Sequence, residues 1–185
     1  MISNRLLPKN MDMLIFPRKK MSLYIFDKDG TLLSNIRSRL IIKRSPLKPE
    51  EQILRQGVFE KLAEIRTAGH QIAIATNQPA VAHGLITLEE AENLVKNCAS
   101  KVGGVSAWRL SPFHPHAKKR LHGRPNPYAR DDETHKPHPG MILQIMDELG
   151  SSPAKTFMVG NSKMDKKSAK AAGVTFLDEK KFFKF

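Results

Sequence analysis

Asp27 and Asp29 stand two residues apart in Asp27-Lys28-Asp29-Gly30-Thr31, directly behind the apolar run Leu23-Tyr24-Ile25-Phe26. Two carboxylates so placed can divide labour, one attacking an electrophile while the other moves a proton. Whether they do depends on the elements that hold them. The run is short and rich in strand formers, which predicts a buried strand over Ser22–Phe26. Asp27 would then stand at the carboxyl tip of that strand and Asp29 in the exit loop, with Gly30 free to make a sharp turn. Open α/β sheets hold their ligands at such tips. An Asp-Gly pair behind a strand is more often an ordinary turn, so these acids need support from elsewhere in the chain.

Three further polar sites supply it. Thr76-Asn77 follows a strand expected over Gln71–Ala75, and Lys136 in His135-Lys136-Pro137-His138-Pro139-Gly140 precedes a helix expected over Pro139–Leu149. Gly160-Asn161-Ser162-Lys163-Met164-Asp165 follows a strand expected over Lys155–Val159. Each has an ordinary reading as a cap, a surface cation or a loop. At four equivalent positions, they fit phosphoryl transfer through an aspartyl phosphate. One carboxylate attacks phosphorus while a cation screens the two anions, and the other protonates the leaving oxygen and then activates water. A hydroxyl, an amide and a lysine can hold the phosphoryl oxygens. Mg²⁺ needs only one or two carboxylates besides phosphate and water.

The remaining elements complete an α/β pattern. Helices are predicted over Gly57–Ala68, after the capping box Thr87-x-x-Glu90, and over Asp165–Ala172, with strands over Val105–Leu110 and Val174–Leu177. Alternating strands and helices argue for a three-layer, Rossmann-like parallel sheet with helices on both faces. The stretch Ser111–His138, rich in Pro, His and basic residues, reads as one long irregular loop, which in a compact domain is usually functional or disordered.

At 185 residues the chain fits one domain, expected over 21–185, preceded by a basic arm over 1–20. Met21 stands immediately before the first strand and could be the true start of translation. A single cysteine, Cys98, excludes an internal disulfide and a thiolate cluster and points to a reducing, cytoplasmic setting. No apolar run approaches a membrane span, and the first residues lack the apolar stretch of a signal peptide. The net charge of +13 is high for an enzyme of small metabolites. Residues 1–20 hold five basic residues and one acid, so the rest of the chain still carries +9. Such a balance is either a solvated basic surface or the mark of a polyanionic partner such as nucleic acid.

FDKDGT, ATN, KPHPG and GNSKMD match, in order, the four motifs of the haloacid dehalogenase superfamily. The runs TNQPAVAHG, KPHPGM and SAKAAGV resemble most closely the subfamily of heptose-bisphosphate, histidinol-phosphate and polynucleotide 3′-phosphatases. The resemblance implies Asp27 as nucleophile, Asp29 as general acid/base, Thr76 and Asn77 as phosphate-binding residues and Lys136 as the group that stabilises the transferring phosphoryl. It further implies Mg²⁺ held by Asp27, Asp29 (through its carbonyl) and the fourth motif, Asn161 with Asp165. The short gaps between motifs leave no room for a large cap domain.

Three departures qualify it. Asn161 takes the place of a usual aspartate, which predicts weaker metal binding. The relatives' Cys-x-His…Cys-x-Cys zinc loop is replaced by a stretch that starts Ser111-Pro112-Phe113-His114 and ends Asp132-Glu133-Thr134-His135, and structural zinc is not expected despite His114, His116, His122 and His135. His135 and His83 take places where relatives tend to carry arginine, which opens the question of the substrate's distal part. Lys28 is expected to point away from the site. The leading reading is a phosphatase of a small phosphorylated metabolite, most simply a sugar phosphate such as heptose bisphosphate. The alternatives are a polynucleotide 3′-phosphatase, drawing on Lys118, Lys119, Arg120, Arg124 and Arg130 in the long loop with Phe113 and Tyr128 as stacking aromatics, and a non-catalytic phosphate-binding module.

Overall fold

Alternating side chains decide the layers. The first strand, β1 (Leu23–Phe26), buries Leu23 and Ile25 in one cluster and Phe26 in another. The next strand, β2 (Gln71–Asn77), divides in the same way, with Ala73 and Ala75 on one face and Ile72 and Ile74 on the other. A sheet buried on both faces needs helices on both. The computed structural model describes residues 21–36 and 44–184, so the arm expected over 1–20 lies outside the described residues.

The central sheet has the order β3-β2-β1-β6-β7 and is parallel throughout, with β3 at Ala107–Ser111, β6 at Thr156–Gly160 and β7 at Thr175–Asp178. Helices α4 (Gly140–Glu148) and α5 (Lys163–Ala171) cover one face through Met141, Ile142, Ile145 and Ala169. The other face is covered by α1 (Val58–Thr67) and α3 (Leu88–Lys101), through Val58, Leu62, Ile65, Val95 and Cys98. The capping box expected at α3 is present: Glu90 N donates to Thr87 Oγ1 at 3.1 Å, and Thr87 N donates to Glu90 Oε2 at 2.7 Å. Burial pushes the Cys98 thiol up to about 12, so it behaves as a core residue.

Connections from β1 run toward β3 on one side, while β6 and β7 lie on the other. The strand order therefore reverses beside β1, where a crevice opens at the carboxyl edge.

Several boundaries differ from the sequence expectation. β2 continues through Thr76 and Asn77, because both still pair with β3, opposite Leu110 and Ser111. The segment expected to be wholly irregular contains a small antiparallel hairpin, β4 (Arg120–Leu121) with β5 (Arg124–Pro125), turned by His122 and Gly123 at φ 48° and 77°. Two short helices, α2 (Pro79–Ala82) and α6 (Glu179–Phe183), were not foreseen, because neither is long enough to show a helical period. Among the described residues no helix is long and apolar enough to cross a membrane.

Candidate active site

Asp27 follows β1, and its backbone N–H donates to Val159 O of β6 at 2.9 Å. Its carboxylate is buried, with Oδ1 accepting from Lys136 Nζ at 2.8 Å and Oδ2 accepting a long bond from Thr31 Oγ1 at 3.3 Å. Lys136 Nζ also donates to Asp165 Oδ1 at 2.6 Å and to Ala75 O at 2.9 Å. One ammonium thus stands between two buried carboxylates contributed by distant parts of the chain.

Burial pushes Asp27 up to about 6; the Lys136 ammonium opposes that shift and the Asp165 carboxylate adds to it. Burial alone would discharge Lys136, but Asp27 and Asp165 outweigh it and hold the ammonium above its ordinary value. Two anions around one lysine leave a net negative charge at the bottom of the crevice, a place suited to a further cation.

Asp165 is the third helical residue of α5 and forms a second capping box with Ser162. Its Oδ2 accepts from Ser162 N at 3.0 Å and Ser162 Oγ at 2.6 Å, while Asp165 N donates to Ser162 Oγ at 3.2 Å. With Oδ1 on Lys136 and Oδ2 on Ser162, Asp165 buttresses the lysine. Gly160 makes this approach feasible, since a Cβ there would lie 2.6 Å from Asp165 Cβ, Cγ and Oδ2. Gly160→Ala is therefore expected to displace Asp165 and loosen Lys136, lowering turnover about 10-fold or more and stability by about 1–3 kcal/mol. Paired kinetic and thermal-unfolding measurements check this; unchanged turnover would show that the buttress is dispensable.

Asp29 is held from two sides. Its Oδ1 pairs with Lys28 Nζ at 2.6 Å, and its Oδ2 accepts from Gln78 Nε2 at 2.9 Å. The expectation that Lys28 points away is corrected here. The side chain is fully buried beneath the loop, and an ammonium so buried needs a charge partner, which Asp29 provides. Gln78 also donates to Thr76 Oγ1 at 3.0 Å, tying the general acid/base candidate to the phosphate-binding candidate. Gln78, Thr31 and Lys28 were missed as site residues. Both Thr31 and Gln78 lie inside the runs FDKDGT and TNQPAVAHG, which is the signal that could have found them. Arg55 was also missed; its guanidinium donates to Gly30 O and faces Glu179 at 3.5 Å, and no motif marks it.

Asn77 does not present a free amide. Its Nδ2 donates to Lys136 O at 3.0 Å and its Oδ1 accepts from Lys136 N at 3.0 Å, so it clamps the backbone of the lysine loop. Asn161 Nδ2 donates to Asp29 O at 3.3 Å. Gly30, at φ 85°, lies so close that a Cβ would come within 2.0 Å of that amide nitrogen. Asp27, the Asp29 carbonyl and Asn161, after rotation of its amide, would offer oxygen donors of the kind magnesium takes. Among the described residues no group of three or more His, Cys, Asp or Glu is placed to hold a metal.

The ends of the long loop are joined by side chains. Thr134 Oγ1 lies 3.2 Å from Ser111 Oγ and donates to Asp132 Oδ1 at 2.7 Å; Arg130 contacts Asp132 and lies 4.3 Å over the Phe113 ring. Beside it His114 meets the rings of His83, His116 and His135 at 4.9–5.8 Å between centroids. Burial lowers both His114 and His135 below the ordinary imidazole value, with His83 and His116 adding to the shift of His114, and His114 to that of His135.

A similar fold occurs in known proteins. A family model described as haloacid dehalogenase-like hydrolase matches residues 128–178. The crystal structure of a D,D-heptose 1,7-bisphosphate phosphatase from B. bronchiseptica, complexed with magnesium and phosphate, superposes with a TM-score of 0.66 at 26% identity, covering 84% of this chain and 79% of that one. Over residues 128–178 the chain is thus similar to haloacid dehalogenase-like hydrolases. D-glycero-beta-D-manno-heptose-1,7-bisphosphate 7-phosphatases from Salmonella typhi and Escherichia coli K12 are 28% and 29% identical to it over 122 residues, 64% of this chain. The chain spans 62% and 61% of the lengths of these two relatives.

Proposed function

We propose that the chain is a Mg²⁺-dependent phosphomonoesterase that works through an aspartyl phosphate on a small phosphorylated metabolite, with a sugar phosphate of the heptose-bisphosphate class as the favoured substrate. The observation that carries this reading is the buried Asp27–Lys136–Asp165 cluster at the carboxyl edge of the sheet, with Asp29 held beside it by Lys28 and Gln78. The names of the relatives support the substrate class.

In the first step an Asp27 carboxylate oxygen forms a bond to phosphorus while the bond from phosphorus to the ester oxygen breaks. Asp29, protonated, gives its proton to that oxygen and the alcohol leaves. In the second step Asp29 takes a proton from water, whose oxygen bonds to phosphorus as the Asp27 acyl-phosphate bond breaks. Inorganic phosphate departs and Asp27 returns as carboxylate. Lys136 offsets the charge that gathers on the phosphoryl oxygens, and Asn77 keeps its backbone in place. A magnesium ion held by Asp27, the Asp29 carbonyl and Asn161 would screen the approach of the phosphate dianion.

Phosphate release from a panel of sugar phosphates, with Asp27→Asn as control, tests the reading. Release from none of them, or release that survives Asp27→Asn, sinks it. Asn161→Asp is expected to tighten Mg²⁺ binding about 10-fold, because it adds a negative charge to the donor set and removes the amide donor from Asp29 O. Calorimetric titration with MgCl₂ reads that affinity directly; equal affinities would place Asn161 outside the metal shell.

A further inference from the structure

Beside the active-site mouth runs a second depression of roughly 900 Å³. The two share Asn161 and Ser162, so the depression opens directly onto the Asp29–Gly30 loop. Its walls carry Lys61 from α1, Lys163 and Lys166 from α5 and Lys181 from α6, and Phe176 and Phe182 form a half-buried apolar floor. Lys163, Lys166 and Lys181 are exposed and make no ion pair among the described residues, while Lys61 pairs only with the exposed Glu64. The one acid of the lining, Asp178, caps α6 by accepting from Lys180 N at 3.1 Å and Lys181 N at 3.4 Å.

The long loop, where basic residues first suggested a polyanion, is less available. Lys119 Nζ donates to Ala129 O at 2.5 Å, Arg120 to Gly123 O, and Arg130 to Asp132, while Phe113 and Tyr128 pack on each other at 5.9 Å. Those groups hold their own loop together. Around the groove Lys163, Lys166 and Lys181 are exposed, and with Lys61 the lysines come from three separate elements. Cations spread along a groove suit a chain of phosphates better than a single small anion, and an apolar floor suits sugars and base faces.

We propose that this groove binds the backbone of a single nucleic-acid strand without sequence preference. The proposal concerns binding alone and stands whether or not the phosphatase reading holds.

Fluorescence anisotropy of the full chain with a labelled oligothymidylate of about 15 nucleotides, over a range of salt, tests it. Lys166→Glu with Lys181→Glu is expected to weaken binding at least about 10-fold and to flatten the slope of log K against log salt by about 1.4, the contribution of two phosphate contacts on a single strand. Lys96→Glu with Lys101→Glu, an equal charge change on exposed residues of α3 outside the groove, is expected to leave affinity within about twofold. Unchanged affinity in the groove pair, or an equal loss in the α3 pair, overturns the proposal. So does displacement of the oligonucleotide by polyglutamate at equal charge concentration, which would assign the groove to an acidic peptide. If charge reversal unfolds the chain, Lys166→Ala with Lys181→Ala carries the same test with a smaller loss in the same direction.

Discussion

Lys136→Met is expected to remove most activity and a large part of the stability. The ammonium it deletes is buried and donates to Asp27, Asp165 and the carbonyl of Ala75. Methionine fills much of the volume but takes the ammonium donor from Asp27 Oδ1, Asp165 Oδ1 and the Ala75 carbonyl, and leaves two facing carboxylates with no cation between them. Breaking a buried charge pair in this way typically costs about 3–5 kcal/mol, a substantial share of the roughly 5–15 kcal/mol that holds a domain folded. The cost has a pH sign. Without the cation nothing offsets the burial that raises Asp27, so the folded state gains by binding a proton there. The variant is therefore expected to lose most at pH 8 and to recover as the pH falls toward 5. Thermal unfolding at both pH values, with chelator present, checks this. A loss of only a degree or two at pH 8 would mean that the cluster relaxes or admits water. Turnover is expected to fall about 10³-fold, the scale of losing one oriented charge at a developing anion.

Asp27→Asn is expected to abolish turnover while stabilising the metal-free chain. An amide cannot attack phosphorus, and loss of a nucleophile costs about 10⁴-fold or more. Stability should move the other way. Burial holds Asp27 at about 6, above its ordinary value of 3.8. A raised carboxyl group stabilises the fold below its unfolded value, and that contribution is lost as the pH rises through about 6. Above that pH the charged carboxylate penalises the fold by about 2–3 kcal/mol, discounted by whatever water reaches it. Asparagine resembles the protonated form and never carries the charge. In the presence of chelator the variant should match the parent near pH 4 and unfold at a higher temperature at pH 8. If it unfolds at a lower temperature at pH 8, Asp27 contributes to stability as a carboxylate, and the site is not a case of function held at the expense of stability.

The main elements and the motif residues were legible because each depends on short-range pattern. Leu23–Phe26, Gln71–Ala75 and the α3 capping box announce themselves within a few residues, and polar residues at strand tips follow from where the apolar runs stop. Asn77 and Asp165 were found as positions, but their partners were not. Asn77 turns to Lys136, 59 residues away, and Asp165 to the same lysine, 29 residues away. The hairpin at Arg120–Pro125 was lost among prolines and histidines because two-residue strands carry no period.

Residue types and their order along the chain were enough to single out Asp27, Asp29 and Lys136 as candidates for one site. They could not show that Lys28 folds beneath Asp29, that Gln78 and Arg55 brace its loop, or that four lysines from α1, α5 and α6 line one groove. Periodicity encodes which face of its own element a side chain takes. Which distant faces meet is set by the order β3-β2-β1-β6-β7, and that order arises only when the whole sheet assembles.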